Sequence, residues 1–352
     1  MLRIGETPGR HTSLCWKGVP NGHIFISGQS GSGKSYFTHG LILQLLYQGK
    51  VRCIVLDASH DLAGGLPTSP GLSLEDRDQI SVVDVKSENF TLNPIPPLPL
   101  GDGKTEDYNT AAARVVESLM VAYRLSSAQG LYLTNTIRKC LEYFDGECTI
   151  PALIAFVNTS LEKDERKRVD LAVARLENFA HCVHCGTGGF DWRLDTPGVT
   201  VIDFSRVPTE REQQLLVELS LADIWGQRMR KKDALIPTII VLDECQKYKF
   251  KSGNYTTKLL REGRKYQISA WFASQWISDK EALAALEQAA LRAYFRPEPS
   301  NVHALARRLA AGDRELTKTY EIHLGRLKRG QFLSHDQNGR PIIANVPSRT
   351  RP

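Results

Sequence analysis

The chain has 352 residues, 41% hydrophobic and 24% charged, which excludes a disordered or fibrous protein and leaves room for about two compact units. No run approaches the length of a membrane span, and the start lacks the basic and apolar blocks of a signal peptide, so a cytoplasmic protein is expected. The net charge of +6 is uneven: residues 251–352 hold 18 Lys+Arg against 9 Asp+Glu, a local +9, so the first 250 residues sum to −3.

Residues 23–27 read as a short buried strand, the glycine-rich run after them as a loop, and residues 35–47 as a helix. Residues 51–57 form a second apolar strand ending on Asp57, and residues 80–85 a third. The proline-rich stretch 91–104 then breaks regular structure. From 105 to 180 apolar residues recur at helical spacing with no convincing strand, which predicts an all-helical insertion. Strands return at 199–205, 238–244, 268–274 and 293–297, with a helix between the first two, and a terminal hairpin is expected near 327–332. Strands alternating with helices predict an α/β fold around a parallel sheet. The expected division is 1–104 and 191–352 as two parts of one core, with 105–190 as the helical insertion. The seven cysteines are odd in number and scattered, which fits reduced thiols.

Gly28, Gln29, Ser30, Gly31, Ser32, Gly33, Lys34 and Ser35 fit the phosphate-binding pattern G-x-x-x-x-G-K-[ST] in full. Glycines let consecutive backbone N–H groups converge on phosphate oxygens, and the following helix adds its positive N-terminal end. Gly28, Ser30, Gly31, Ser32, Gly33, Lys34, Ser35 and Tyr36 are the expected ATP-binding residues. Lys34 is expected at the β- and γ-phosphates and the Ser35 hydroxyl on Mg²⁺. The strand through residues 239–242 delivers Asp243 and Glu244 to its C-terminal end, where α/β sheets place ligands. Asp243 is expected to hold Mg²⁺ through water, and Glu244 to polarise the attacking water. The fold class is therefore a P-loop NTPase with a RecA-like core.

The strand 268–274 ends on a polar Gln275, with Arg264 11 residues upstream. This layout resembles the HerA/FtsK superfamily of ring-forming translocases, which includes conjugative coupling proteins and VirB-type secretion ATPases. Residues 92–94 (LNP), 199–205 and 327–332 also sit in the order of that superfamily. The resemblance implies that Gln275 senses the γ-phosphate and that Arg264 is supplied to a neighbouring subunit's nucleotide, with Arg261 as its rival. It also implies a homo-hexamer that moves DNA. Protein transfer in secretion or conjugation, and viral or mobile-element DNA packaging, are the alternative roles. A membrane complex or a nuclease is a further partner class. The chain resembles a bare motor domain, without the β-barrel or membrane spans common in the superfamily.

Three other features carry less. His181, Cys182, His184 and Cys185 crowd five positions but lack a second ligand pair, so a helix end is expected. Trp271 and Phe272 lie inside an apolar strand and belong to the core. Residues 246–260, with Lys247, Lys249, Lys251 and Tyr255, suit either a DNA-contacting loop or a solvated connector.

Overall fold

The computed structural model describes residues 2–6, 13–16, 21–101, 103–230, 236–251, 253–336 and 339–347. Strands β1 (Leu2–Glu6) and β2 (Ser13–Trp16) precede a βαβ unit of β3 (Ile24–Ser27), α1 (Lys34–Gln48) and β4 (Arg52–Asp57). Short helices α2 (Asp61–Gly65) and α3 (Leu74–Asp78) lead to β5 (Ile80–Asp84), followed by a small hairpin, β6 (Pro99–Gly101) and β7 (Lys104–Thr105). Four helices then run with no strand among them: α4 (Tyr108–Tyr123), α5 (Ser127–Tyr143), α6 (Ile150–Ser160) and α7 (Lys163–Cys182). The chain returns through β8 (Gly198–Asp203), α8 (Glu210–Arg230), β9 (Thr238–Leu242) and α9 (Tyr255–Glu262). Then come β10 (Ile268–Ser274), α10 (Lys280–Leu286) and β11 (Leu291–Phe295). Helices α11 (Val302–Leu309) and α12 (Arg314–Arg326) and the hairpin β12 (Gln331–His335) and β13 (Pro341–Asn345) complete the order.

Eleven strands form one sheet in the order β2-β1-β13-β12-β11-β3-β10-β9-β4-β8-β5. The seven strands from β11 to β5 are mutually parallel, and the four from β12 outward pair antiparallel. The sequence reading began the sheet at residue 23 and missed β1 and β2. They form the far edge: β1 pairs with β13 from the other end of the chain, with Glu6 opposite Asn345, and β2 pairs with β1. That contact is non-local, so no local pattern announces it.

Alternate residues of each central strand feed opposite faces. Ile54, Leu56, Ile240, Leu242, Ala270 and Phe272 join the core shared with α4–α8, while Cys53, Val55, Ile239, Val241, Trp271 and Ala273 join the core under α1. Trp271 and Phe272 are both fully buried, as expected. Helix α4 packs on α8, α5 packs on α4, and α5–α7 pack on one another, so these helices extend the core on that side of the sheet.

A buried ion pair holds the proline-rich crossing in place. Arg114 Nε donates to Glu106 at 3.0 Å, and its two terminal nitrogens donate to the carbonyls of Pro94 at 2.7 Å and Pro96 at 2.8 Å. Glu106 in turn accepts from the Leu98 amide at 3.0 Å. Prolines leave carbonyls without neighbouring donors, and the guanidinium fork supplies them. Arg114→Met leaves Glu106 buried and unpaired, so it is expected to cost about 3–5 kcal/mol, read as a lower urea midpoint. An unchanged midpoint would show that the pair does not hold this crossing.

Helix α8 is buried on nearly every side and carries Glu218, which is 1% exposed. Its carboxylate accepts from the Tyr255 amide at 2.8 Å and from the Thr256 hydroxyl, anchoring the start of α9. Burial pushes the Glu218 carboxyl up from 4.5 to about 7 against those two bonds. The folded state therefore binds more protons than the unfolded one between these values, so this contribution to stability is lost as pH rises through that window. Removing the charge with Glu218→Gln is expected to flatten the fall of stability from pH 4.5 to 7 by on the order of 3 kcal/mol. Urea midpoints of both proteins across that range check it, and parallel curves would refute it.

Candidate nucleotide site

Strands β3, β10 and β9 end side by side, with Ser27 opposite Ser274 and Leu242 opposite Phe272. Every parallel strand therefore delivers its last residue to the same edge. The phosphate loop turns over this edge. The Gly28 amide donates to Ser274 O at 3.3 Å, and the Gln29 amide to Arg296 O at 2.9 Å. A side chain at position 28 would meet Phe295 Cβ at 2.5 Å, so glycine is required for the loop to lie so close. Gly33 adopts φ +114°, and its Cα-substituent position lies 3.2 Å from the Gly330 backbone. The Gly330 amide also donates to Ser32 O at 2.9 Å. The turn before β12 thus buttresses the loop from behind.

Helix α1 opens with no side-chain cap and no acidic residue in its first turn, which suits an anion at its N-terminus. Lys34 is buried, and its ammonium donates to the Gln29 carbonyl at 3.0 Å. Burial pulls its pKa down, and the nearby charges of Glu244, Asp243 and Asp61 pull it back up. Ser30, Gly31, Ser35 and Tyr36 are exposed on the outer side of the loop, and Ser32 is buried beneath it. Of the eight residues expected to bind ATP, all lie on this one loop or on the first turn of α1.

Asp243 and Glu244 follow β9 directly. Asp243 is 9% exposed and accepts from the Ser59 hydroxyl at 2.7 Å. Burial, with the charges of Glu244 and Asp57 behind it, pushes its carboxyl up to about 6, although the Ser59 bond pulls the other way. The fully buried Asp57 closes the turn into α2, accepting from the amides of Leu62 at 2.9 Å and Ala63 at 2.7 Å. In the same turn, Asp61 Oδ2 lies 3.4 Å from Ser35 Oγ. Hydroxyl and carboxylate oxygens are the hard donors Mg²⁺ takes, and it usually completes its shell with water and substrate phosphates. Ser35 and Asp243 therefore fit the metal by donor type.

Glu244 adopts φ +50°, a left-handed conformation unusual for a residue with a side chain. Its carboxylate accepts from Gln246 Nε2 and, more weakly, from Gln275 Nε2 at 3.4 and 3.5 Å. Gln275 follows β10 and is exposed at the same edge. The structure brings the loop, Asp243, Glu244 and Gln275 together.

Arg264 does not join them. It lies in the turn before β10, exposed, and the seven-residue strand separates it from this edge by roughly 20 Å. Arg261, on the last turn of α9, is exposed on the same far side.

The segment 246–260 differs from a free loop. Tyr248 and Phe250 are buried, with Phe250 against Phe272 at 5.6 Å, and Lys249 donates to Val121 O at 3.1 Å. Alternate apolar residues pull this stretch onto α4, which leaves Lys251 as its exposed cation (residue 252 lies outside the described residues). The sequence reading also missed Ser59, Asp61 and Gln246. None belongs to the motifs, and each acts across a turn whose shape only the fold supplies. After α7 ends at Cys182, His184 Nδ1 bonds the Phe90 carbonyl at 2.7 Å and Cys185 bridges to Leu92, so this cluster serves as a chain crossing.

The sequence profile of the HerA helicase central domain matches residues 17–224, more than half of the chain. The chain belongs to this HerA family. It is a HerA/FtsK-type motor ATPase, and its P-loop is a nucleotide site. Solved structures share the fold of this HerA-family chain. VirB4 of Thermoanaerobacter pseudethanolicus is 15% identical with a TM-score of 0.71, covering 99% of this chain and 96% of that one. The bacterial conjugative coupling protein TrwBdeltaN70 is 12% identical with a TM-score of 0.64, covering 99% and 94%. Plasmid coupling protein TrwB in complex with the non-hydrolysable GTP analogue GDPNP is 13% identical with a TM-score of 0.64, covering 94% and 87%. No curated protein matches the chain in sequence. Among the described residues no helix is long and apolar enough to cross a membrane.

Proposed function

We propose that this HerA-family chain is the motor of a cytoplasmic homo-hexameric ring that hydrolyses ATP with Mg²⁺ and moves DNA. In this reading residues 1–104 and 191–352 form the motor core, and residues 105–190 are an insertion in it. The observation that carries the reading is the split between the two ends of β10. Gln275 ends the strand beside Gly28 and Glu244, while Arg264 precedes it on the opposite side, roughly 20 Å away. An arginine so placed cannot reach the nucleotide of its own subunit. Packed head to tail, it reaches the next subunit's phosphates, and repeated head-to-tail contacts close into a ring.

Within one site, the loop amides from Gly28 to Ser35 cradle the phosphates, and Lys34 exchanges its bond with the Gln29 carbonyl for the β- and γ-phosphate oxygens. Ser35, and Asp243 through water, would hold Mg²⁺, which would supply charge neutralisation to the phosphates. Glu244 orients the attacking water and takes its proton, Gln275 reads the γ-phosphate, and Arg264 of the neighbour stabilises the charge on the transferred group.

ATP turnover measured with and without duplex and single-stranded DNA, beside a native mass, tests the proposal. A hexamer whose turnover DNA stimulates is expected. Turnover indifferent to DNA would turn the reading towards protein transfer, and a monomer with full turnover would end the ring.

A further inference from the structure

Gln246 carries no motif, yet it joins the two groups on which the proposed chemistry depends. It lies in a single turn, Cys245–Lys247, directly after the Asp243–Glu244 pair. Its Nε2 donates to Glu244 Oε2, and its Oε1 accepts from the Gln275 amide at 3.2 Å. Only one amide orientation serves both contacts, because a carboxylate accepts and a backbone N–H donates. Gln275 closes the triangle with its own Nε2 on Glu244. Gln246 therefore adds a side-chain tie between the ends of β9 and β10, which already pair as parallel neighbours.

The turn that presents Gln246 is itself fixed. Cys245 and Tyr248 are buried on either side of it, and the amides of Lys247 and Tyr248 bond back to Glu244 O at 3.0 Å and Cys245 O at 3.1 Å. Glu244 is held in the left-handed region there, a conformation unfavourable for a residue with a side chain that persists only when its surroundings impose it. The charge of Glu244 acts on Lys34 of the phosphate loop, and Gln246 and Gln275 grip the same carboxylate.

We infer that Gln246 is a positioning residue that sets Glu244 and Gln275 as one unit, so that displacement of either moves the other. The inference rests on the proposed roles of Glu244 as base and Gln275 as sensor. Misplacing a catalytic group by about 1 Å can cost on the order of a hundredfold, and the loss falls on turnover and spares binding.

The experiment compares Gln246→Ala, Gln246→Glu, Gln275→Ala and the double variant Gln246→Ala/Gln275→Ala for kcat and for the Kd of a fluorescent ATP analogue. Gln246→Ala is expected to lower kcat about tenfold or more, with Kd unchanged within about twofold. Gln246→Glu keeps the size and the acceptor for the Gln275 amide but loses the donor to Glu244, so it is expected to fall equally. The double variant is expected to match the worse single variant within about threefold, because the residues act as one unit. Unchanged kcat in Gln246→Glu, or losses that simply multiply in the double variant, would overturn the inference. Glu244→Gln in parallel separates the two levels. If it is inactive while the Gln246 variants turn over normally, this inference alone fails. If it turns over normally, the proposed role of Glu244 fails and takes this inference with it.

Discussion

Glu244→Gln is expected to lower ATP turnover at least about a hundredfold while leaving nucleotide affinity within about twofold. The groups proposed to bind the phosphates are the loop amides and Lys34, none of which the substitution replaces. The amide keeps the size of the side chain but cannot take a proton, so the loss falls on the chemical step. Bound, unhydrolysed ATP should accumulate on the variant, measured by quenching and nucleotide extraction after a single turnover. Rapid hydrolysis by the variant would move the base elsewhere, and loss of binding would mean that Glu244 shapes the loop.

Arg264→Ala is expected to lower turnover by roughly a thousandfold, within the range of other arginine fingers, again without loss of nucleotide binding. The side chain is exposed in the turn before β10, at the far end from its own phosphate loop. Truncation there removes no buried contact, so folding and thermal stability should stay within about 0.5 kcal/mol of the parent. An activity loss without a stability loss is therefore the expected signature. Arg261→Ala, on the neighbouring turn of α9, is the comparison that decides between the two arginines. Equal losses from both would mean that the face contributes collectively to the subunit contact.

The motif-bearing part of this site was legible because phosphate chemistry demands particular residues at fixed spacing: Gly28 to Ser35 for the loop, Asp243 and Glu244 at a strand end. The parallel core was legible because its strands are apolar runs bounded by turns, and Trp271 and Phe272 could be assigned to the interior from that run alone. Contacts between distant segments were not legible. Strand β1 joins the sheet by pairing with β13 and carries β2 on its outer side, and nothing in residues 2–6 foretells a partner near residue 345. Gln246 and Ser59 look like ordinary polar residues until the turns after β9 and β4 bring their side chains to Glu244 and Asp243. In the basic stretch 246–260, the lysines mask the alternation of apolar residues that ties it to the core. Tyr248 and Phe250 bury themselves, and Lys249 spends its ammonium on a helix carbonyl.

The central claim is that each active site is completed by a second subunit, and mixing two inactive variants tests it most directly. Glu244→Gln keeps Arg264 and lacks the base, whereas Arg264→Ala keeps the base and lacks the arginine. In a random equimolar mixture, about one interface in four pairs an intact base with an intact arginine from the neighbour. Turnover, negligible in either variant alone, is expected to return in the mixed assembly as subunits exchange. Co-assembly proven by native mass, with no recovery of turnover, would contradict it.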